Sequence, residues 1–418
     1  MFRFDYKIAG SMVLSCLLLI SVAAGADTLS VSPDSRFSSI QDAVNHARSG
    51  DVIFVQHATY HEGNILIDKK LNLTGIEYPE IYPGDTAEGF VVIADSVVIR
   101  GFQISDVARS YLKDRAGIRI NDCRHCLIEN NRLIRTFFGI YLKNARGCII
   151  RDNEIEGVPG DEASTGNAIH LWYSKDITVE RNTARGHRDG IYLEFVENSH
   201  VENNFSENNI RYGLHFMFSN NDDYRYNTFR KNGAGVAVMY SRNIIMENNV
   251  FEQNRGSSSY GLLLKDILDG QIRFNHFIEN TIGIYADGSN RILYEFNEFR
   301  ENGWALKILG SCSDNTITQN NFTGNTFDVM TNSKTSMNTF TGNYWSHYSG
   351  YDLDRDGVGD VPYRPVRLFS YIVGNVPSSI LLLRSFFVEL LNYAEQITPA
   401  VTPAFLEDRS PRMKIIKP

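Results

Sequence analysis

The sequence lacks three features that would assign it to common classes of protein. No block of Lys and Arg interrupts the chain and the formal net charge is −8, so nucleic acid is not expected as a partner. After the first 26 residues, no stretch reaches the roughly 18 uninterrupted apolar residues of a transmembrane helix. No helical segment recurs along the middle of the chain, which argues against a leucine-rich repeat.

The first 26 residues have the pattern of a secretory signal peptide. Arg3 and Lys7 form a basic start, an apolar run follows, and Ala24 and Ala26 fit the rule for cleavage between small residues. We therefore expect an exported protein that is soluble, or that is held at a membrane only through a partner.

The sequence does contain a short motif that recurs about every 22 residues between residues 117 and 345. This motif consists of a small residue followed by alternating apolar positions, as in residues 139–142 and 190–193. A second motif places Asn at the end of an apolar run, as at Asn131 and Asn153. Such units form strands with one apolar face, which only stacked neighbours can bury. The pattern predicts an all-β, right-handed parallel β-helix in which Asn side chains form ladders along the axis.

Helical patterns flank the repeats. Residues 37–51 have apolar residues at helical spacing, with Ser38 or Ser39 as a capping residue and Gly50 as a stop, and this helix is expected to cover the open end of the core. The order of residues 39–62 resembles the amino-terminal cap of pectin-lyase-like β-helices. The chain therefore divides into five parts: signal peptide 1–26, amino-terminal cap and first coils 27–116, main repeats 117–345, an Asp-rich loop 346–367, and an apolar helix with a flexible tail 368–418.

Two cysteines share the spacing of the repeats. Cys126 and Cys148 are 22 residues apart, so they are expected to lie one above the other on the core side of adjacent coils. Neighbouring strands bring Cα atoms within disulfide range, which makes the pair a candidate disulfide. A pair of buried thiols is the alternative, and a metal site at Cys123 and Cys126 is a third.

The outward positions of the repeated strand carry soft metal ligands. Met217 and Met239 occupy the same position in adjacent units, and His215 lies two residues before Met217 on the same predicted face. Two thioethers and an imidazole suit Cu(I). His170, in the same column as His215, is a further candidate ligand. The alternative is that the methionines pack against aromatic residues or an overlying loop.

Residues 352–360 repeat acidic side chains at alternating positions, with Gly357 at the sixth position of the loop. This is the first part of a calcium-binding loop, although the twelfth position holds Tyr363 instead of Glu. We expect a structural Ca²⁺ that fastens the end of the rod. The candidate ligands are Asp352, Asp354, Asp356, Asp360 and the carbonyl of Val358.

From residue 368 the composition changes to an apolar helical pattern, which Arg384 and Glu389 interrupt. The pattern is too short and too charged to span a bilayer, and it is apolar nearly all round. This favours docking on another protein or on a membrane surface over a simple cap. The candidate docking residues are Phe369, Ile372, Leu381, Phe386, Phe387 and Leu390.

A glycan-binding or glycan-cleaving exported enzyme is the alternative function. Such β-helices carry paired acidic residues in an outer groove. Asp189, Glu194, Asp222 and Asp223, with His187, offer acids and a base, but no paired-acid pattern recurs.

Several stretches together resemble the NosD family, periplasmic β-helix proteins of nitrous oxide reductase maturation. They are residues 188–200, 213–220, 238–241 and 343–363, with the apolar tail that follows. The resemblance covers essentially the whole chain after the signal peptide.

The resemblance implies a periplasmic protein that is not an enzyme. It implies a place in an ABC-type complex, with a membrane permease dimer and a cytoplasmic ATPase as partners. It also implies transient Cu(I), taken from a copper chaperone and destined for the copper centres of nitrous oxide reductase.

Overall fold

The computed structural model describes residues 27–110, 112–158, 160–333, 335–397 and 406–417. The predicted signal peptide of residues 1–26 lies outside the described residues. Within the described part of the chain, parallel strands stack into three sheets, and each coil adds one strand to sheet A, then to sheet B, then to sheet C. This is a right-handed parallel β-helix, as the repeats predicted.

The strands are short because each coil passes through three strands and three bends within about 22 residues. Sheet A contains Thr28–Val31, Val52–Val55, Asn72–Gly75, Val98–Arg100, Leu127–Glu129, Ile149–Arg151, Thr178–Glu180, His200–Glu202, Asp223–Arg225, Arg242–Glu247, Leu268–Arg273, Asn290–Glu295, Ser313–Thr318 and Met337–Thr341. Sheet B contains Thr59–Tyr60, Glu80–Ile81, Gln103–Ser105, Arg132–Ile134, Glu154–Glu156, Thr183–Arg185, Phe205–Glu207, Thr228–Arg230, Val250–Glu252, His276–Ile278, Glu298–Arg300, Asn321–Thr323 and Tyr344–Trp345. Sheet C contains Ile65–Ile67, Phe90–Val92, Ala116–Asn121, Phe138–Lys143, Ile169–Trp172, Asp189–Glu194, Tyr212–Met217, Ala234–Met239, Leu262–Lys265, Ile282–Asp287, Trp304–Ile308 and Phe327–Met330.

An asparagine ladder runs from Asn131 to Asn343 at the bend between sheets A and B, as predicted. Each Asn donates its backbone N–H and its side-chain Nδ2 to the Oδ1 of the Asn one coil later, as Asn204 does to Asn227 at 2.9 and 3.0 Å. Buried amides must be satisfied, and identical amides at identical bends satisfy one another. The members are Asn131, Asn153, Asn182, Asn204, Asn227, Asn249, Asn275, Asn297, Asn320 and Asn343.

The amino-terminal helix Ile40–His46 covers the first coils, as predicted. Ser39 caps it by accepting a hydrogen bond from the N–H of Asp42. The carboxylate of Glu62 accepts from the N–H of Ile40 at 2.8 Å and of Gln41 at 3.1 Å, which fixes the helix to the strand region below it. A carboxylate at a helix amino terminus also complements the helix dipole.

The carboxyl-terminal segment forms two α-helices, Leu368–Asn375 and Phe386–Ile397, joined by the 3₁₀ helix Pro377–Leu382. They lie against the outside of sheet C, where one small apolar cluster joins helix to rod. Its buried members are Ile282, Trp304, Phe327, Phe369, Val373 and Val388. None of the helices among the described residues has the length and apolar character needed to cross a membrane.

The sequence predicted a flexible end, but residues 406–417 differ from that prediction. They fold back onto the last coil, where Asp408 forms bridges with Phe340 and Tyr363, and Arg412 with Tyr344. Asn321 exchanges two hydrogen bonds of 2.9 Å with the backbone of Ile416. The segment thus continues the hydrogen-bonding pattern of the rod. Its prolines and charged residues did not indicate this role.

Candidate metal centre

Sheet C presents two columns of outward-facing side chains, and its pairing is the one that the repeat spacing predicted. One column runs Tyr141, His170, Tyr192, His215, Ala237, Leu263 and Tyr285. The other runs Lys143, Trp172, Glu194, Met217, Met239, Lys265 and Asp287. Residues that lie one repeat apart in sequence are therefore neighbours on adjacent strands.

Met217 and Met239 are direct cross-strand partners and both are half-buried. His215 lies on the strand of Met217, two residues earlier and on the same outer face. The hydroxyl of Tyr192 donates to the thioether sulfur of Met217 at 3.7 Å, which draws that sulfur toward the imidazole column. The structure therefore brings together three of the four predicted copper ligands.

His215 is 5% exposed, although it lies outside the apolar core. Its Nδ1 lies 3.3 Å from Nη2 of Arg211 and 3.8 Å from Oδ2 of Asp189. Its Nε2 is buried and has no hydrogen-bond partner among the described residues. Burial lowers the pKa of His215, against the opposing effect of Asp189, so the ring is neutral at neutral pH. A neutral imidazole is the form that binds a metal.

Behind this imidazole, the fully buried Asp189 forms an ion pair with Arg211, whose side chain is 28% exposed. Arg211 donates to both oxygens of Asp189, from Nε at 2.9 Å and from Nη2 at 2.6 Å. Burial acts to raise the pKa of Asp189, but hydrogen bonds from His215 and Arg211 and the charge of Arg211 lower it to about 2. A carboxylate behind an imidazole fixes the ring's orientation, as in many metal sites. This pair was not predicted from the sequence, although Arg211 directly precedes Tyr212, the residue in register with Asp189.

The structure separates His170 from the other three candidates. The strand of Tyr192 lies between the strands of His170 and His215. Nδ1 of His170 lies 3.1 Å from the amide nitrogen of Asn167, and its ring packs 4.6 Å from Tyr141 and 4.8 Å from Tyr192. Two strand spacings of about 4.8 Å exceed the reach of one metal ion.

A stack of aromatic rings borders the methionine column, and sequence analysis did not single it out. In four successive coils, an aromatic residue directly follows the member of the column that contains Met217 and Met239. Neighbouring ring centroids are 4.5 to 5.1 Å apart. The rings belong to Tyr173, Phe195, Phe218 and Tyr240, each at a positive φ that Asn or Gly adopts more easily. Their regular spacing was the signal that would have found them.

The Asp-rich loop gathers three of its predicted ligands. The carboxylates of Asp352, Asp354 and Asp356 have oxygens within 4.8 Å of one another. Gly357 has a φ of +85°, which permits the sharp turn. Asp360 is not part of that group, and its Oδ2 accepts a hydrogen bond from the N–H of Leu353 at 2.7 Å. Calcium binding by this loop, including the carbonyl of Val358, stays a prediction.

The four described cysteines are buried free thiols. The N–H of Cys126 donates to Sγ of Cys148 at 3.4 Å, so the two residues are neighbours, as their spacing predicted. The disulfide between them stays a prediction.

The acids considered for glycan chemistry do not share a groove. Asp189 is in its buried ion pair, and Asp222 is 1% exposed on the inner side of a turn. Asp223 faces outward on sheet A, whereas Glu194 faces outward on sheet C. Sugar cleavage needs two carboxyl groups across one bond, and these positions do not supply them.

The candidate docking residues of the tail fall into two groups. Phe369 is 2% exposed in the cluster against the rod, and Ile372 is half-buried, so the structure assigns Phe369 to packing within the chain. The other four are exposed: Leu381, Phe386, Phe387 and Leu390.

The stacked coils and their ladders define a parallel β-helix of the pectin-lyase-like class. A solved structure of this class, the A-module of the mannuronan C-5 epimerase AlgE4 of Azotobacter vinelandii, matches with a TM-score of 0.51 and 14% identity, over 72% of this chain and 87% of that one. At that identity the likeness concerns the fold alone.

Within this class, residues 156–350 match the family described as NosD, periplasmic copper-binding protein. The chain is 27% identical to the probable ABC transporter binding protein NosD of Stutzerimonas stutzeri, over 97% of this chain and 94% of the relative. It is 29% identical to the protein of the same name in Pseudomonas aeruginosa, over 88% of this chain and 89% of the relative. The resemblance to NosD is confirmed, and the matched region contains the methionine pair and His215.

Proposed function

We propose that this chain is a periplasmic copper-binding subunit of an ABC-type transporter. Cu(I) is its cargo, received from a copper chaperone and passed on for the copper centres of nitrous oxide reductase. The observation that carries the proposal is the paired Met217 and Met239 beside a buried, neutral His215 inside the region that matches a copper-binding family. Relatives over most of the chain are named as transporter binding proteins, which supports a binding role over catalysis.

The chemistry of the three side chains favours Cu(I) over harder cations. Thioether sulfur is a soft ligand, and it neither carries charge nor needs to lose a proton before binding. The exposed sides of the two methionines admit an ion from solvent, while His215 offers an Nε2 without a competing hydrogen bond. A site with few charged ligands at an open face suits an ion that must be released again.

Replacing both methionines by leucine should remove this site with little change in side-chain volume. We expect wild-type protein to bind about one Cu(I) in an anaerobic titration against a chromophoric chelator. The M217L/M239L variant should bind at least about tenfold more weakly, because even losing a group behind a metal ligand costs that much.

The matched control is Met330→Leu, which alters another half-buried methionine on the same sheet. M330L should bind Cu(I) like the wild type. Undiminished binding by M217L/M239L would show that copper is held elsewhere.

The second part of the proposal concerns the tail. Leu381 is 88% exposed and Phe386 72% exposed, and with Phe387 and Leu390 they form an apolar surface on helices already anchored to the rod by Phe369 and Val388. We assign the membrane permease as the partner of this surface, because relatives are named as binding proteins of an ABC transporter. Exposed aromatic and aliphatic residues on a helix are the usual anchors of such a contact.

The triple variant L381S/F386S/F387S should lose most of its co-purification with the permease and ATPase from membranes. Apolar anchors carry most of the binding energy at an interface, so three polar replacements should abolish stable capture. Leu112→Ser, at a 95% exposed leucine far along the chain, is the control and should leave capture unchanged. Equal recovery of both variants would contradict docking through the tail, while Cu(I) binding in the triple variant should persist.

A further inference from the structure

A second group of metal-ligand side chains lies on the outer face of sheet A, separate from the methionine pair on sheet C. His200 and Glu202 are two residues apart on one strand, so both side chains point to the same face. Asp223 is the direct cross-strand partner of His200 on the next coil. One ligand atom of each residue lies within 4.8 Å of the other two.

The backbone leaves these three side chains little freedom to change their arrangement. The three residues stand on paired strands of a continuous sheet, which positions side chains more firmly than a loop does. Nδ1 of His200 lies 2.8 Å from Oδ1 of Asp223, so imidazole and carboxylate already face each other. His200 is about half exposed, which leaves the group open to solvent.

One cation also faces the group. Arg225 lies across from Glu202, and its Nη2 is 3.6 Å from Oδ2 of Asp223. It therefore approaches the carboxylate oxygen opposite to the one that faces His200. Its Nε lies 3.7 Å from Glu247 on the next coil, which offers the guanidinium a second acidic neighbour when a cation occupies the group.

We propose that His200, Glu202 and Asp223 form a binding site for a borderline divalent cation of the Zn²⁺ class. One imidazole and two carboxylates are nitrogen and oxygen ligands, which suit Zn²⁺ or Cu²⁺ and do not suit Cu(I). Three protein ligands leave a fourth position for water or a ligand from a partner. Binding replaces the contact between Nδ1 of His200 and Oδ1 of Asp223, and the imidazole binds the cation in its neutral form.

The site is independent of the proposed copper function and has a different metal preference. Cu²⁺ should bind here and Cu(I) at the methionines, so the oxidation state of the added copper selects the site. A titration with Cu²⁺ in air would therefore count only the site on sheet A, and an anaerobic titration with Cu(I) only the methionine site.

The test is calorimetric titration of the full chain with Zn²⁺, in excess Ca²⁺ so that the Asp-rich loop does not compete. His200→Ala and Asp223→Asn should each weaken Zn²⁺ binding at least about tenfold, because each removes a direct ligand. His276→Ala is the matched control: His276 lies 2.7 Å from Glu298 on adjacent strands in the same way, but no third ligand is grouped with that described pair.

Two further measurements complete the test. Arg225→Gln should tighten Zn²⁺ binding, because it removes the positive charge beside the site. Cu(I) binding should be unchanged in H200A, which separates failure here from failure of the methionine site. Zn²⁺ binding that is unaffected in H200A and D223N, or reduced equally in H276A, would overturn the proposal.

Discussion

Replacing Asp408 by alanine should destabilise the carboxyl-terminal end of the rod by about 4 kcal/mol or more. Asp408 is completely buried and stands where the next asparagine of the ladder would be. Its Oδ2 accepts 3.0 Å hydrogen bonds from the backbone and side chain of Asn343 and from the indole of Trp345, and Oδ1 accepts from the N–H of Gly342.

Alanine at this position leaves four buried donors without an acceptor. Each unsatisfied buried donor costs about 1–3 kcal/mol, and water reaches such a site only if the end of the rod opens. Because each coil contacts only its neighbours, the damage should stay local and should not spread to the amino-terminal coils.

Hydrogen exchange measured by mass spectrometry checks both parts of this prediction. In D408A, amides of residues 337–345 should exchange much faster, whereas those of residues 127–156 should exchange at the wild-type rate. Asp408→Asn is the control, because its amide oxygen can still accept from Asn343 as the ladder asparagines do, and its effect should be smaller. Uniformly faster exchange along the chain would contradict the local role assigned to Asp408.

The position of Asp408 also shows where prediction from sequence ends. Asn343 follows Asn320 at a spacing typical of the repeat, so the ladder could have been extended to it from the sequence alone. Nothing periodic links Asn343 to Asp408, which is 65 residues away beyond two helices. A contact that is made once, between segments of different composition, has no counterpart in a repeat pattern.

The sequence also predicted only part of the candidate metal centre. Spacing predicted that Met217 and Met239 are neighbours with His215 beside them, because strand stacking converts equal offsets into contacts. His170 is in the same column as His215, but their spacing in sequence is that of two coils, so the coil of Tyr192 intervenes. This separation was already readable from the sequence. His215 is buried because Arg211 and Asp189 cover one side of its ring. The alternation of inner and outer faces along a strand does not predict such a contact.

The outer surface of the rod thus carries two metal-ligand groups of different chemistry on different sheets, and the tail helices lie against the sheet that carries the methionines. From Met239 the column continues through Lys265 and Asp287, while Tyr285 on that last strand already packs against the tail cluster. The proposed copper site and the helices that carry the proposed docking surface therefore lie on the same sheet.

Replacing Arg211 by methionine should lower stability by about 3–5 kcal/mol at neutral pH, because it leaves the charge of Asp189 buried without its bidentate partner. Arg188, whose Nε is 3.5 Å from Oδ2 of Asp189, compensates only in part. The double variant D189N/R211M removes both charges and should recover most of the loss, since a buried pair is stabilising mainly relative to one unpaired charge.

The pH dependence distinguishes this explanation from simple loss of packing. In the wild type the pKa of Asp189 is lowered to about 2, so its contribution to stability is present above the unfolded value of 3.8 and is lost as the pH falls through 2. Without Arg211, burial is opposed only by the hydrogen bond from His215 and by Arg188, and we expect the pKa of Asp189 to rise above 3.8. The folded state then keeps a proton that the unfolded state has lost. Stability of R211M then declines as the pH rises from 4 toward 7, and its deficit relative to wild type should shrink at pH 4.5 compared with pH 7.5 in thermal unfolding. A deficit that is equal at both pH values, or one that D189N/R211M retains in full, would mean that Arg211 acts through its packing and not through the charge of Asp189.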